Sequence, residues 1–144
     1  MDIVSKNGCF LLDVTPHANG TYDATVRSLL ASIGDWLSTN GQAIYSTVPH
    51  EWFGEGPTKI IPGGFHEWPI FTPKDFRFTR AGSSLFIVAM AWPSTSSGSG
   101  YVVTTLNSSS QIANRITNLT FVGADATTSI SCEVTATGTW LTKA

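Results

Sequence analysis

The 144-residue chain contains little charge, because Asp, Glu, Lys and Arg make up only 12% of it, about half of the usual share. The formal net charge is −2, and neither the basic nor the acidic residues are clustered. A nucleic-acid partner is therefore not expected, since such partners require a basic patch. Apolar runs of membrane-spanning length are also missing from the sequence, so no membrane partner is predicted.

Cysteine and histidine are scarce as well. Cys9 and Cys132 allow at most one disulfide, but they fall in separate predicted strands, which favours two free, buried thiols. His17, His50 and His66 are widely spaced and have no Cys or carboxylate nearby at metal-ligand spacing. We therefore expect no zinc site and no cofactor.

The first 45 residues show the strongest pattern. Residues 6–8 (KNG) predict a turn, residues 9–14 (CFLLDV) a strand buried on both faces, and residues 15–21 a break. A helix is then predicted from about Asp23, with that carboxylate in its first turn and Asn40-Gly41 as a left-handed cap. Its apolar residues fall on one stripe: Val26, Leu29, Leu30, Ile33 and Leu37.

This strand and helix lack the neighbours that they require. A strand buried on both faces needs parallel strands beside it and cover on each side. No second strand–helix pair follows in the sequence, so the N-terminal part is expected to belong to something larger. Bare strand edges and an uncovered apolar stripe favour self-association. We predict either a homo-oligomer or a missing portion that completes this part.

Residues 46–73 are rich in Pro, Gly and aromatic side chains and predict a long irregular connector. One interpretation is a sugar-binding platform, since flat rings stack on the apolar face of a pyranose. The alternative is that the rings fill a seam between two structural units, and it is the favoured one. The candidate substrate-binding residues are Trp52, Phe65, His66 and Trp68.

The remainder predicts short antiparallel strands, at residues 75–79, 85–92, 101–106, 116–122, 130–135 and 139–141. The fold class is therefore mainly β with one long α-helix, an α+β arrangement that contains an antiparallel β-sandwich. Three units are predicted: a strand–helix unit at 1–47, the connector at 48–73 and the sandwich at 74–144.

The chain resembles the α-L-fucosidases of glycoside hydrolase family 29. The N-terminal matches are residues 2–8, Leu11, Leu12, Val14, Pro16, 33–37, Asn40, Gly41 and 43–45. Further matches lie at residues 54–58 and 74–79, so the resemblance is strong to about residue 92 and holds only in outline after it. The sequence departs from the family preference at Cys9, Asp13 and Thr15. The resemblance implies that residues 1–47 are the last strand and helix of a (β/α) barrel and that the sandwich is C-terminal to it.

The resemblance further implies removal of terminal α-L-fucose with retention of configuration. That chemistry needs a nucleophile and an acid/base about 5–5.5 Å apart. The family takes both from earlier parts of the barrel, and no position here matches either motif. Candidates for an improvised pair are Asp13 with Glu51, Glu55 or Glu67. The favoured interpretation is instead that Asp13 caps the turn before the helix or accepts hydrogen bonds from backbone amides.

Three interpretations follow. The first is the C-terminal portion of an α-L-fucosidase, with a fucosylated glycan or aryl fucoside as substrate if the chain is active. The second is a non-catalytic carbohydrate-binding module, and the third an oligomer-forming one. Asn19, Asn107 and Asn118 each begin an N-glycosylation sequon, which suggests a secreted or lysosomal parent protein.

Overall fold

The computed structural model describes residues 1–60, 70–93, 100–120, 122 and 130–143. These residues form two α-helices, six β-strands and two short 3-10 turns at Gly41–Ala43 and Ala113–Arg115. The helices are α1 (Asp2–Ser5) and α2 (Ala24–Asn40). The strands are β1 (Val48–Glu55), β2 (Phe76–Ala81), β3 (Ser84–Ala89), β4 (Tyr101–Val103), β5 (Ile130–Thr135) and β6 (Gly138–Lys143).

The strands form two antiparallel three-stranded sheets, in the orders β1-β2-β3 and β4-β6-β5. Both sheets contribute to one apolar core, whose buried members are Phe76, Phe78, Val103, Leu106 and Ala113. The predicted combination of antiparallel sheets with one long helix is confirmed.

The central strand β2 is buried on both faces, which the sequence pattern did not indicate. Phe76 and Phe78 enter the core. Arg77 and Thr79 point the other way, yet they are only 3% and 0% exposed. The reason is that N-terminal elements cover this outer face: α1 contacts β1 and β2. In addition, the Thr79 hydroxyl donates a hydrogen bond to the Ala43 carbonyl, which follows α2.

The prediction for the N-terminal part is half right. Helix α2 forms, with the Asp23 carboxylate as its N-cap, accepting a hydrogen bond from the Thr25 amide. Asn7 adopts a positive φ of 65° in the predicted turn. The cap at Gly41 is right-handed, with a φ of −59°, because the chain continues into a 3-10 turn instead of reversing.

The strand predicted at residues 9–14 is wrong. These residues have no strand partner within the described part of the chain, and Phe10 and Leu11 are 60% and 90% exposed. Cys9 and Cys132 are free thiols in this structure, and both are exposed, so the buried environment predicted for them is wrong. An apolar run specifies a strand only when another edge is available to receive its hydrogen bonds.

Three further strand predictions need correction. Residues 48–55 form β1 instead of irregular connector, because they pair with the exposed edge of β2. Strand β3 ends at Ala89 instead of the predicted residue 92, and it is half buried. Residues 116–120 are irregular instead of forming a strand. In the second sheet β6 pairs with β4 on one side and with β5 on the other, and none of these strands pairs with this segment. No helix among the described residues combines the length and apolarity needed to cross a membrane.

Candidate functional site

A bulge interrupts the pairing of β1 with β2. Pro49 pairs with Thr79 and Gly54 pairs with Arg77, so five steps along β1 match two steps along β2. The three extra residues break the alternation of side chains on this strand. Bulges of this kind redirect side chains and are over-represented beside active sites. As a result, Glu51 and Trp52 line the same cleft although they are adjacent in sequence.

The ring of Trp52 packs against His50. The two ring centroids lie 5.3 Å apart, and the Trp52 amide donates a hydrogen bond of 3.2 Å to His50 Nδ1. His50 in turn packs edge-on against the core residue Phe78, with centroids 6.3 Å apart. Trp52 nevertheless stays 38% exposed, so one part of its surface is fixed and another part faces solvent.

Glu55, at the end of β1, joins the two sheets. Its carboxylate accepts hydrogen bonds from the backbone amides of Thr104 and Thr105, at 2.7 and 2.6 Å, and from the Thr105 hydroxyl. Thr104 and Thr105 directly follow β4, so this carboxylate fixes the start of the next segment against β1. The role shown for Glu55 is therefore positional.

The cleft beside the bulge has a volume of about 440 Å³. We call it the bulge cleft, and its lining residues are Glu51, Trp52, Thr105, Asn107, Ser109, Ser110, Gln111 and Ile112. Strand β1 supplies the carboxylate and the indole, and the segment after β4 supplies amides, hydroxyls and one aliphatic side chain. Trp52 and Ile112 are the apolar members of this lining, and the other six side chains are polar.

The other sequence-derived candidates lie elsewhere. Asp13 is exposed in the irregular segment before α2, and within the described residues it makes no hydrogen bond or ion pair. Phe65, His66, Glu67 and Trp68 lie outside the described residues. The structure therefore brings Glu51 together with Trp52 and engages Glu55 separately, and joint action of these carboxylates with Asp13 stays a prediction.

A second polar cluster, which sequence reasoning missed, joins the N-terminus to the outer face of β2. The buried Arg77 guanidinium donates from Nε to Asp2 Oδ1 at 2.5 Å. Its Cζ also lies 5.6 Å and 5.3 Å from the ring centroids of Phe53 and Phe71. Lys6 completes the cluster, pairing with Asp2 Oδ2 at 2.9 Å.

Burial alone would raise the pKa of the Asp2 carboxyl, but the hydrogen bonds from Lys6 and Arg77 outweigh it and hold that pKa below its usual value. A cavity of about 340 Å³ opens beside this cluster and is lined partly by Lys6, Phe53, Lys59 and Arg77. Two of its three cations are already paired with Asp2, so the cluster is best explained as a structural clamp.

Asp75 is the most strongly perturbed acid among the described residues. It is fully buried and accepts four hydrogen bonds, from the amide and hydroxyl of Thr58 (2.9 and 2.7 Å) and of Thr72 (both 2.7 Å). Burial would raise its pKa, but these donors outweigh the burial and lower the pKa to about 2. Gly56, with a φ of 125°, passes so close that an added Cβ would lie 2.3 Å from Asp75 Oδ1.

We found no metal-binding arrangement in the part of the chain that the structure describes. No group of three or more His, Cys, Asp or Glu side chains is placed there to hold an ion.

Sequence and structure comparisons point in one direction. The family model described as alpha-L-fucosidase matches residues 1–42. Human tissue alpha-L-fucosidase is 28% identical over 120 residues, which are 83% of this chain and 21% of that protein. The alpha-L-fucosidase of Dictyostelium discoideum is 42% identical over 52 residues, or 34% of this chain and 11% of that protein.

A solved structure of an alpha-L-fucosidase superposes with a TM-score of 0.63 and 25% sequence identity. The superposition covers 98% of this chain but only 26% of the solved one. The chain thus spans about a fifth or less of these two curated relatives and about a quarter of the solved structure.

Proposed function

Because the chain resembles the C-terminal part of the α-L-fucosidases of glycoside hydrolase family 29, we propose that it is one portion of a retaining exo-glycosidase that removes terminal α-L-fucose. In this proposal the nucleophile and the acid/base are supplied by a portion of the enzyme that these 144 residues do not include. The present chain supplies a surface that packs against that portion and completes it. The setting of Glu55 supports this division, since its carboxylate is used to hold two sheets together.

The observation that carries the proposal is the amount of exposed surface. A folded monomer of 15.4 kDa is expected to expose about 7,200 Å². This chain exposes 10,300 Å², about 3,000 Å² more than that expectation. Helix α2 contributes directly, because none of its 17 residues is buried. A surface of this size supports the proposal that a large further portion covers it.

Self-association is a second candidate function and uses the same surface. Leu29 on α2 is 57% exposed, and Phe10 and Leu11 before the helix are exposed too. Each partner in an obligate dimer contributes about 1,000–2,500 Å² or more to the interface. The excess of about 3,000 Å² is of that order, so it supports a covering portion and a homo-oligomer alike. The resemblance to the α-L-fucosidases favours the covering portion, with homo-oligomers expected when that portion is absent.

Carbohydrate binding without cleavage is a third candidate. The partly exposed Trp52 favours it, because this ring is presented beside polar side chains.

Hydrolysis of para-nitrophenyl α-L-fucoside tests the first proposal. We expect no turnover by the purified chain, and turnover by a chimera in which it replaces the matched 120-residue stretch of human tissue alpha-L-fucosidase. A soluble, folded and inactive chimera would count against the proposal. Turnover by the chain alone that falls in both Asp13→Asn and Glu51→Gln would instead place a catalytic pair within it.

A further inference from the structure

We propose that the bulge cleft binds one neutral pyranose ring of a glycan, with Trp52 as the stacking surface and Glu51 as the main hydrogen-bond acceptor. This inference rests on the carbohydrate-binding candidate and does not require the chain to hydrolyse anything. Four features of the cleft lead to it: a fixed ring, fixed walls, unpaired polar groups and the sign of its charge.

The fixed ring is Trp52. One face of a pyranose presents C–H groups that carry slight positive charge, and the face of an indole carries the negative part of its quadrupole. Stacking is therefore favourable if the ring does not have to be ordered on binding. The contact between the two rings supplies part of that order in advance. The hydrogen bond from the Trp52 backbone amide to His50 Nδ1 holds the imidazole against which the indole packs.

The fixed walls come from the segment that follows β4. Leu106 and Ala113, at its two ends, are buried in the core at 1% and 4% exposure. The Thr139 hydroxyl donates a hydrogen bond to the Leu106 carbonyl. Between these anchors, Asn107 Oδ1 accepts a 3.0 Å hydrogen bond from the Ser109 amide, which holds a tight turn. The cleft is thus built from backbone that is already ordered.

The unpaired polar groups are Glu51 and Gln111. Both side chains are exposed, and neither has a hydrogen-bond partner within the described residues. Sugar hydroxyls donate and accept, so a carboxylate and an amide can together satisfy a pair of neighbouring hydroxyls. Glu55, by contrast, is already engaged with Thr104 and Thr105 and is not available for this role.

The charge of the lining indicates which sugars are accepted. Glu51 is the one charged side chain among the eight described residues that line the cleft. A carboxylate or sulfate on the ligand would be repelled by Glu51 and would meet no cation in the lining. The volume of about 440 Å³ lies at the small end of the 300–1,000 Å³ that ligand clefts usually have. A single neutral pyranose ring fits both the charge of the lining and the volume of the cleft.

Saturation-transfer difference NMR on the full chain measures this binding. The probes are methyl α-L-fucopyranoside, methyl β-D-glucopyranoside and methyl β-D-glucuronide, the last differing from the second only by its carboxylate. Bacterial expression keeps the sequon at Asn107 unmodified. We expect at least one neutral glycoside to bind in the millimolar range and the glucuronide to bind at least fivefold more weakly than the glucoside.

Variants locate the site. Trp52→Ala is expected to raise the dissociation constant about tenfold, and Glu51→Gln about fivefold. Trp36→Ala is the matched control, because Trp36 is 40% exposed and lies on α2 outside the cleft. It is expected to change the constant less than twofold. Should Trp52→Ala not fold, as judged by circular dichroism, Glu51→Gln and Gln111→Ala supply the test, since both side chains are exposed.

Three results would overturn the proposal: no binding of either neutral glycoside at about 20 mM, equal binding of glucoside and glucuronide, or equal loss in Trp52→Ala and Trp36→Ala. These results are independent of fucoside hydrolysis. A chimera that hydrolyses fucoside but shows no Trp52-dependent binding would remove only the cleft proposal, and an inactive chimera with intact binding would remove only the hydrolase proposal.

Discussion

Two regions of this chain both have strong apolar patterns, but one is buried and the other is largely exposed. Strand β2 places Phe76 and Phe78 in a core shared by two sheets, and its other face is covered as well. No residue of helix α2 is fully buried, and its apolar stripe is only partly covered. The segment before it, which was predicted as a buried strand, is largely exposed. The difference lies in the partners, because residues 48–143 contain the edges and faces that β2 requires.

This contrast shows that an apolar pattern indicates which side chains of a segment would be buried against a partner. It does not show that the partner is present. Helix α2 forms without a covering partner, because helix hydrogen bonds are made within the segment. Residues 9–14 cannot form a strand alone, since strand hydrogen bonds require a second segment. The four predictions below sharpen the contrast, from the largest expected change in stability to the smallest.

Phe78→Ala should have the largest effect. Phe78 is 1% exposed, and removing its ring leaves a cavity between the sheets, with an expected loss of about 3–5 kcal/mol in the free energy of unfolding. Leu29→Ala on α2 is the control, because Leu29 is 57% exposed and should lose less than about 0.5 kcal/mol. Urea denaturation followed by circular dichroism measures both. Similar losses in the two variants would contradict the contrast between the regions.

Arg77→Met should follow, with a loss of about 3 kcal/mol, because the guanidinium is buried between two rings and paired with Asp2. Lys6→Met removes the other cation that pairs with Asp2. The Lys6 side chain is 38% exposed, so this variant should lose less than about 1 kcal/mol in the free energy of unfolding. The same denaturation experiment compares them. If Lys6→Met proves as costly as Arg77→Met, α1 is not clamped to β2 through the buried pair.

The sequence predicted the long helix and most of the strands, because their hydrogen bonds and apolar faces follow from local alternation and spacing. It did not predict that Arg77 is buried, since the partner Asp2 lies 75 positions away in sequence. Strand β1 was missed for a related reason: its bulge breaks the period of two on which strand prediction depends.

The candidate site was predictable only in part. Trp52 and Glu51 were selected from an aromatic segment by residue type alone. The polar wall after β4 was not selected, because Asn107, Ser109 and Gln111 have no pattern that separates them from any polar turn. Their proximity to Trp52 results from the Glu55 carboxylate, a contact across 49 and 50 positions that no local pattern shows.

Asp75→Asn should cost about 2 kcal/mol at neutral pH, because an amide cannot accept all four hydrogen bonds that the carboxylate accepts. The folded pKa of about 2 lies below the ordinary value of 3.8, so the stabilisation is complete above pH 4 and is lost as the pH falls toward 2. The stability difference between wild type and variant should therefore shrink across this window. Asp35→Asn, on the exposed face of α2, is the control, and a pH-independent difference would argue against the assigned cause.

Ile33→Glu should have the smallest effect on unfolding and a clear effect on association. Ile33 lies midway along the stripe of α2 and is only half buried, so a charge there should change the free energy of unfolding by less than about 0.5 kcal/mol. In oligomers the same charge would be buried against apolar side chains without a partner, which is strongly unfavourable. Size-exclusion chromatography with light scattering should therefore show a shift from oligomer toward monomer. Ser32→Glu, one position away on the exposed side, should leave the elution unchanged. If both variants elute as the wild type does, the stripe is not the contact surface, and the exposed segment at residues 9–14 becomes the next region to mutate.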